Sequence, residues 1–386
     1  MLAEKKRKDR GVAETAPLNG VTILEICSNL AGPFAGKVLV ELGAQVIKVE
    51  PREGGDVARH WGKGKLGDTS AVFQSFNKEK RSLSVDLRDP DQAAALLDLI
   101  ADRIDVVFQN LRPGLVEKYG LGSEEVLARK PEVIYCNMGA YGEGPLADLP
   151  GYDPLIQAFT GVAATTGETG GRPSRVGVPV IDMGTGMWAV IGILAALIRR
   201  GVTGRGGLVD ASLFDTGMAL MSMAFAFFEA DGVVPERRGL RGPIAAPNGE
   251  FQTADGLLMI ATGSQGQFVP LCQAIGMNEL LDDPRFATGA LRYANDQVLI
   301  ELMNQRLRTQ SRAYWAERLD AAGVPNAPLQ DLAQAVEHEQ TSASGILQTS
   351  PDGNYRVIGL PLKFDGVRPA FQRPAPKLGE ADEELL

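Results

Sequence analysis

One aspartate in this chain, Asp182, has the type and surroundings to do chemistry. It follows the apolar run VGVPVI (176–181) and precedes the glycine-containing apolar stretch MGTGMWAVIGILAALI (183–198). Carboxylates are rarely buried without a partner, so this position needs a reason. An aspartate can cap a helix by accepting a backbone N–H. Alternatively, a carboxylate kept ionised by a helix N-terminus is a usable nucleophile, and Gly184 and Gly186 would let a substrate approach closely. This segment alone leaves both interpretations open.

Other residue types that carry catalysis are scarce. The three cysteines, Cys27, Cys136 and Cys272, are far apart, which fits a reducing cytoplasm and predicts neither a disulfide framework nor a zinc site. The two histidines, His60 and His338, lie in no recognisable catalytic motif, so we expect no metal site built on histidine ligands. Carboxylates and backbone groups are therefore expected to carry any catalysis.

Length and charge limit the class of protein. With 386 residues, of which 44% are apolar, the chain can form two domains with filled cores. The net charge of −9 argues against nucleic-acid binding as the main function. The basic run within residues 5–10 is local, and no apolar signal segment accompanies it, so residues 1–17 are predicted to be a disordered basic arm, with targeting less favoured. The apolar stretch 183–198 is shorter than the ~20 residues of a membrane span, which predicts a buried core helix and no membrane contact.

The segments that must position Asp182 alternate between strand and helix patterns. A β-branched run, a glycine-containing turn with a helix, and a second apolar run form a predicted βαβ unit, and further units follow. Strands are predicted at 21–26, 44–50, 105–110 and 132–138, and helices at 89–101 and 123–128. This alternation predicts an α/β fold, a Rossmann-like parallel sheet covered by helices.

Beyond the sheet the pattern predicts apolar helices and then a different domain. Turn signals at Asn248-Gly249 and Asp255-Gly256 predict a hairpin. Helices are predicted at 183–200, 210–228, 266–274, 295–308 and 312–322. The predicted boundaries are 18–200 for a large domain, 201–224 for a linker helix, 225–330 for a smaller α+β domain, and 331–386 for a return to the large domain, where 354–364 has strand character.

A βαβ unit with glycines invites the prediction of a dinucleotide site, with Glu50 at the end of the second strand. The loop does not have the required G-x-G-x-x-G spacing. Gly32 and Gly36 enclose Pro33 and Phe34, where small residues would be needed for a pyrophosphate to approach. The sequence therefore predicts a Rossmann-like frame without a nicotinamide site.

Several separated motifs resemble one known family. They are LAGPFAGKVLVELGAQVIKVE (30–50), GGDVAR (54–59), NKEKRSLSVDL (77–87), QNLRPGLVEKYGLG (109–122), GYDPLIQAFTG (151–161), VGVPVIDMGTGM (176–187), TGRGGLVDASLFD (203–215), DPRF (283–286) and GVPNAP (323–328). In this order the chain resembles the class III CoA-transferases of the CaiB/BaiF type. That group includes formyl-CoA:oxalate CoA-transferases and α-methylacyl-CoA racemases.

The resemblance implies a role for Asp182 as the nucleophile. Its carboxylate would attack an acyl-CoA thioester to give an acyl-aspartyl anhydride and CoA thiolate, which would return to form an aspartyl-CoA thioester. Backbone N–H groups near 184–186, or from the small domain, would stabilise the oxyanion. Acyl-CoA would be a substrate, with no metal, and an acid would be the acceptor. The family fold also implies an interlocked homodimer of two-domain subunits.

The resemblance also implies contacts to coenzyme A. By position in the motifs these are Lys80, Arg81, Val85, Arg88, Asn110, Leu111, Lys118 and Tyr119. The basic members could meet phosphate oxygens and the apolar ones could flank adenine, although each basic residue could equally be a solvated surface charge. Asp56 and Arg59, with Gly55, either shape a channel for the pantetheine arm or pair with each other.

Two departures separate the chain from the racemases. They have a histidine where Tyr152 precedes Asp153, and a glutamate near the position of Gln265, which cannot take a proton. CoA transfer is therefore favoured, and racemisation is kept as an alternative. A non-catalytic CoA-binding subunit is a third possibility, which Asp182 argues against.

The choice of acid is less constrained. Leu30 stands where the formyl-CoA:oxalate branch has a glutamine, and 240–251 lacks that branch's run of glycines, which argues against oxalate as acceptor. Leu30, Tyr152, Gly184 and Gln265 are the predicted substrate-binding residues. A short dicarboxylic or branched acid is the expected acceptor, with donors such as succinyl-CoA. Arg172 and Arg175 could bind an acceptor carboxylate in a bidentate manner, or could be exposed loop charges.

Overall fold

The computed structural model describes residues 16–385, so most of the predicted basic arm lies outside the described residues. The described chain divides into two units. Unit 1 consists of residues 16–163, 175–233 and 342–385, and unit 2 of residues 164–174 and 234–341.

Unit 1 contains a six-stranded parallel sheet in the order β5-β2-β1-β6-β7-β8. Its strands are β1 (Thr22–Ile26), β2 (Gln45–Glu50), β5 (Arg81–Ser84), β6 (Val106–Gln109), β7 (Ile134–Gly139) and β8 (Gly207–Ser212). A separate short hairpin is formed by β3 (Lys65–Leu66) and β4 (Thr69–Ser70). The sheet confirms the predicted α/β fold.

Helices cover both faces of this sheet, because parallel strands joined by crossovers are buried on both sides. Along β1, Ile23 points into one core cluster and Leu24 into the other. The helices of this part of the chain are α1 (Ala31–Glu41), α2 (Ala71–Asn77), α3 (Pro90–Arg103), α4 (Leu115–Lys118), α5 (Ser123–Arg129), α6 (Asp153–Phe159), α7 (Val162–Thr165), α8 (Val180–Thr203), α9 (Leu213–Leu220) and α10 (Ser222–Asp231), with a 3-10 turn at Val57–His60.

The stretch predicted as a linker helix differs from that prediction. Its first part holds β8, which pairs with β7 in parallel, and the predicted apolar helix 210–228 is two helices, α9 and α10, bent by 60°. Residues 207–212 mix small, polar and apolar types, which suits a strand at the edge of a sheet. Pairing with β7 therefore outweighs the local helical pattern. Strand β5 was also not expected from the motif that contains it.

Helix α8 is longer than its prediction. It has 24 residues and, by length and composition, could cross a membrane, whereas the expected stretch 183–198 was too short. One face nevertheless packs into the core against β7, β8 and α1, through buried Ile181, Ala189 and Ile193. Burial of this kind is also what a core helix shows, so length alone does not decide its environment.

Unit 2 is built on a three-stranded antiparallel sheet of β9 (Asn248–Gln252), β10 (Leu257–Ala261) and β11 (Asn326–Pro328), in the order β11-β10-β9. The predicted turn at Asp255-Gly256 joins β9 to β10, and Gly256 has a φ of +151°, which favours glycine. The predicted turn at Asn248-Gly249 is wrong, because these two residues begin β9. The surrounding helices are α11 (Gln265–Ile275), α12 (Glu279–Asp282), α13 (Gly289–Ala294), α14 (Asp296–Leu307), α15 (Arg312–Ala321) and α16 (Leu332–Glu337), with a 3-10 turn at Pro284–Phe286.

The C-terminal segment belongs to unit 1. After α17 (Glu339–Ser344), strands β12 (Leu347–Thr349) and β13 (Arg356–Ile358) form an antiparallel pair. The last helix, α18 (Asp382–Leu385), lies beside β5. There the Ala381 N–H donates to the Ser82 carbonyl at 3.0 Å, and Asp382 accepts the Ser84 N–H at 2.7 Å.

Candidate active site

Asp182 lies in the first turn of α8. The helix begins at Val180. Pro179 occupies the N-cap position, and its side chain makes no capping hydrogen bond. Asp182 is therefore the third helical residue and not the N-cap, so the capping interpretation of this residue is wrong. Within residues 16–385, no side chain donates a hydrogen bond to its half-buried carboxylate.

The start of α8 is capped by a different aspartate, which comes from α6. Asp153 Oδ2 accepts the N–H of Ile181 at 2.7 Å and that of Asp182 at 3.3 Å. Asp153 is buried, and its Oδ1 accepts a hydrogen bond from Gln157 Nε2 at 2.6 Å. The side chain of Asp153 thus replaces the local cap that α8 lacks and fixes the position of Asp182.

The electrostatics of Asp182 follow from this arrangement. Burial raises the pKa of Asp182, and the nearby Asp153 carboxylate raises it further, to about 7. The expectation that the helix start keeps this carboxylate fully ionised is therefore wrong, because the N–H groups that would do so are taken by Asp153. A carboxyl group that changes protonation near neutrality in a cleft is typical of a functional site.

A cleft of about 660 Å³ opens beside Asp182. It is formed at the carboxyl ends of strands β1, β6 and β7, the edge where ligands bind in open α/β sheets. Its lining residues are 28–31, 110–113, 138–140, 149–154 and 175–179, together with Trp61, Leu115, Asp182, Thr185 and Leu213. The predicted residues Leu30, Tyr152, Asn110 and Leu111 therefore share one cleft with Asp182.

The two glycines near the start of α8, Gly184 and Gly186, serve packing and do not admit a substrate. Gly184 is buried, and a Cβ there would lie 2.8 Å from Thr216. A Cβ on Gly186 would lie 2.8 Å from the Ala31 carbonyl oxygen and 2.8 Å from Phe34, so this glycine permits the close contact of α8 with α1. The N–H groups of 184–186 lie inside α8, where they bond to carbonyls of the preceding turn, and they are not free for an oxyanion.

The predicted coenzyme A residues divide by their surroundings. Asn110 joins the ends of two strands: it accepts the Ser28 N–H at 2.9 Å and donates to the Ser28 carbonyl at 2.8 Å. Leu111 packs against the core and also lines the cleft. Lys118 is exposed, and Tyr119 packs partly against the core next to it.

Four other predicted residues are engaged elsewhere. Val85 lies in the core. Arg81 pairs with Glu384, and the exposed Arg88 pairs with Asp86.

The fourth, Lys80, is fully buried. Its ammonium bonds to Glu25 at 2.7 Å, to the Pro33 carbonyl at 2.9 Å and to Asn77 Oδ1 at 2.9 Å. With all its donors used inside the protein, Lys80 serves structure, and its predicted contact to a ligand phosphate has no support in this arrangement.

Asp56 and Arg59 do not pair with each other, contrary to one of the two expectations. Asp56 pairs with Lys48 at 2.9 Å, while Arg59 binds Glu50 through two hydrogen bonds of 2.7 Å. In a dinucleotide site Glu50 would accept hydrogen bonds from the ribose. Here its carboxylate binds the guanidinium of Arg59 instead.

Gln265 lies in unit 2, at the first position of α11. Its side-chain oxygen accepts a hydrogen bond from Arg292 at 2.7 Å. Among the described residues no group of three or more His, Cys, Asp or Glu side chains could hold a metal ion.

Sequence reasoning did not identify the capping role of Asp153 or the contribution of Gln157. The signal available was the Asp-Pro pair that starts α6, with a glutamine four residues later on the same helix face. What it could not show is that this face meets the start of α8.

A carboxyl group of raised pKa in the cleft at the carboxyl edge of a parallel α/β sheet marks a candidate active site of an enzyme. Residues 18–382 match the model of CoA-transferase family III, and the chain belongs to this family. The chain is 36% identical to the acetyl-CoA:oxalate CoA-transferase of Acetobacter aceti, over 96% of this chain and 95% of that protein.

Two further comparisons agree. The chain is 33% identical to the succinate–glutarate CoA-transferase of Agrobacterium fabrum (strain C58 / ATCC 33970), over 96% of this chain and 95% of that protein. A crystal structure of a CaiB/BaiF family protein from Brucella suis superimposes with a TM-score of 0.84 at 35% identity, covering 95% of this chain and 98% of that chain. The protein is thus a class III CoA-transferase.

Proposed function

We propose that this enzyme moves CoA from an acyl-CoA donor to a carboxylic acid through covalent intermediates on Asp182. The observation that carries the proposal is the carboxyl group of Asp182, which opens onto the cleft without a protein donor among the described residues and has a pKa near 7. A group prepared for structure would be paired, whereas a nucleophile must be free to attack.

The first half of the reaction loads CoA onto Asp182. An oxygen of the ionised carboxylate attacks the thioester carbonyl, the C–S bond breaks, and an acyl-aspartyl anhydride and CoA thiolate result. The thiolate then attacks the aspartyl carbonyl of the anhydride. The donor acid leaves as a carboxylate, and Asp182 is held as its CoA thioester.

The second half runs through the same bonds in reverse. The acceptor carboxylate attacks the aspartyl thioester, which releases CoA thiolate and forms a new anhydride. The thiolate attacks the acceptor acyl carbon, the new acyl-CoA leaves, and Asp182 is regenerated as a carboxylate. No net proton or electron is exchanged, so the cycle requires neither a general base nor a redox partner.

The proposed acceptor is a short dicarboxylic acid. The names of two relatives give oxalate, succinate and glutarate as their acids, and all three are dicarboxylic. In the sequence, Leu30 and the segment 240–251 are evidence against oxalate. The name of the Acetobacter aceti relative, which matches 96% of this chain, nevertheless includes oxalate. Oxalate therefore belongs in the acceptor panel.

We further propose coenzyme A contacts at Asn110, Leu111, Lys118 and Tyr119. The first two line the cleft of Asp182, and the exposed Lys118 could meet a phosphate group. A cytoplasmic location is proposed from the free cysteines, all three of which are buried.

A homodimer is proposed from the family resemblance and from apolar surface on unit 1. In α8, Trp188, Ile191 and Ile198 are exposed, and Val202 is 86% exposed. Contiguous apolar surface of this kind typically marks a protein interface. A second copy of the chain would bury it.

Mass spectrometry tests the function. Wild-type protein incubated with succinyl-CoA or acetyl-CoA should gain the mass of bound CoA at Asp182, and hydroxylamine should convert the activated residue into a hydroxamate. In Asp182→Ala the adduct should disappear and kcat should fall by at least about 10⁴-fold.

Asp210→Asn is the matched control, because Asp210 is an exposed aspartate of unit 1 outside the cleft. It should keep the adduct. An unmodified wild type that still binds CoA would instead support the non-catalytic or racemase-like alternatives. Exchange of the α-proton of a 2-methylacyl-CoA in deuterated water would identify the racemase, which Tyr152 and the amide of Gln265 disfavour.

A further inference from the structure

One charged side chain in the cleft has no task in the chemistry described so far. Arg175 lines the same cleft as Asp182, and its side chain is exposed. Within residues 16–385 its guanidinium has no hydrogen-bond or ion-pair partner. An arginine without a protein partner in the same cleft as Asp182 is available to a bound molecule.

The charges of the cleft indicate what that molecule carries. The charged lining residues are Asp182, Asp153, Arg112 and Arg175. Asp153 is buried and spends its oxygens on backbone and amide donors, so the charges that face a ligand are one carboxyl group and two guanidinium groups. A dicarboxylic acceptor brings one carboxylate that reacts and a second that must be accommodated near the negative charge of Asp182.

One hydrogen-bond network holds both the backbone next to Arg175 and the start of α8, which carries Asp182. The N–H of the next residue, Val176, donates to Gln157 Oε1 at 2.8 Å. Gln157 donates in turn to Asp153, which caps the start of α8. The chain on either side of the cleft is thus held by the same two side chains, so the position of Arg175 is coupled to that of the nucleophile.

Arg112 differs in this respect. It lies in the loop after β6, next to the residues for which coenzyme A contacts are proposed, and is not held by the Asp153–Gln157 pair. It therefore serves as the matched control: the same side chain, in the same cleft, also exposed.

We propose that Arg175 binds the non-reacting carboxylate of a dicarboxylic acceptor and so sets the preference of the enzyme for dicarboxylic over monocarboxylic acids. This inference rests on the proposed CoA transfer at Asp182. A planar guanidinium can hold a carboxylate through two parallel hydrogen bonds, which a lysine cannot reproduce. Arg175 is in this sense a specificity residue and takes no part in bond making.

The test compares each dicarboxylate with its monoamide, which has the same size and lacks the second charge. Acetyl-CoA is the donor, and the acceptor pairs are oxalate and oxamate, succinate and succinamate, and glutarate and glutaramate. In Arg175→Gln, kcat/KM for the best dicarboxylate should fall by about 10- to 100-fold, the loss of a charge-assisted pair, while kcat/KM for its monoamide changes by less than about 3-fold. Most of the loss should lie in KM, and Arg175→Lys should recover part of it.

In Arg112→Gln both members of a pair should change by the same factor. The proposal is overturned if Arg175→Gln lowers both members equally or neither, or if the wild type prefers no dicarboxylate over its monoamide. Formation of the aspartyl-CoA adduct from acetyl-CoA tests the proposed CoA transfer at Asp182 separately from the role of Arg175. A wild type without the adduct contradicts CoA transfer, whereas an adduct retained in Arg175→Gln with an unchanged acid preference contradicts only the role of Arg175.

Discussion

Two regions of unit 1 keep carboxylates away from water, and they treat them in opposite ways. On the central strand β1, Glu25 lies between two ammonium groups, at 3.0 Å from Lys48 and 2.7 Å from Lys80. All three side chains are fully buried. At the start of α8, Asp182 is partly buried beside another carboxylate, and no described residue donates to it.

The pKa shifts follow this difference. In the paired region, burial acts on the pKa of Glu50 in the upward direction, but Arg59, Lys48 and the N–H of Asp56 together outweigh it, and the pKa is lowered overall. For Asp182 burial and Asp153 act together, and the pKa rises to about 7. Buried charges that serve structure are usually paired, so a carboxyl group that lines a cleft without a donor among the described residues is a candidate for chemistry.

The largest expected effect concerns the paired region. Lys48→Met leaves Glu25 and Asp56 buried with fewer partners, which should lower the free energy of unfolding by about 3–5 kcal/mol. Urea denaturation measures this. Arg88→Gln is the control, because the exposed pair of Arg88 with Asp86 should change stability by less than about 1 kcal/mol. Equal losses in the two variants would show that the buried network does not hold unit 1 together.

The second effect is a gain in stability at the unpaired site. Because the pKa of Asp182 is raised on folding, the native protein keeps a proton that the unfolded chain loses, and this group lowers stability progressively as the pH rises from about 4 to about 7. Asp182→Asn does not titrate. Its stability relative to wild type should therefore grow over this range and level off above it, by up to about 4 kcal/mol for a shift of about three pH units. Denaturation at pH 4, 6 and 8 measures the difference, and a difference independent of pH would contradict the raised pKa.

The smallest effect is a shift of a pH profile. The rate of aspartyl-CoA formation should rise with pH through about 7 as Asp182 ionises. In Asp153→Asn the neighbouring negative charge is gone, so the rise should move to lower pH by about one unit. Loss of part of the cap should also cost about 1 kcal/mol of stability.

Single-turnover kinetics from pH 5 to 9 follow the rise. Asp98→Asn, at an exposed aspartate of α3 that pairs with Arg129, is the control and should leave the profile in place. A profile unchanged in Asp153→Asn would mean that burial alone sets the pKa of Asp182.

The sequence predicted those strands of unit 1 whose pattern is visible within a short segment of the chain. Runs of β-branched residues marked β1, β2, β6 and β7 within one or two residues of their ends, because these strands are buried on both faces. Strands β5 and β8 were missed because serine, arginine and aspartate interrupt their apolar pattern, and only pairing with a neighbour makes them strands.

The site shows the same division. Asp182 could be found from its surroundings and from the family motif, but its electrostatics depend on Asp153, which is 29 residues earlier in the chain. Likewise Lys80 stands in a motif with the composition of a phosphate site, and only the fold shows that Glu25 and Asn77 take its charge. The sequence shows which chemistry a residue type can perform. It does not show which partner the fold places against that residue.

The contact of the last helix with strand β5 has a consequence for synthesis. Ser84 and Asp382, which hydrogen-bond there, are 298 residues apart. A ribosome that adds about 5–20 residues per second needs about 15–60 s to make the intervening chain. During that interval the outer side of β5 lacks the hydrogen bonds that the C-terminal segment later makes, so this edge strand is open to pairing with another chain.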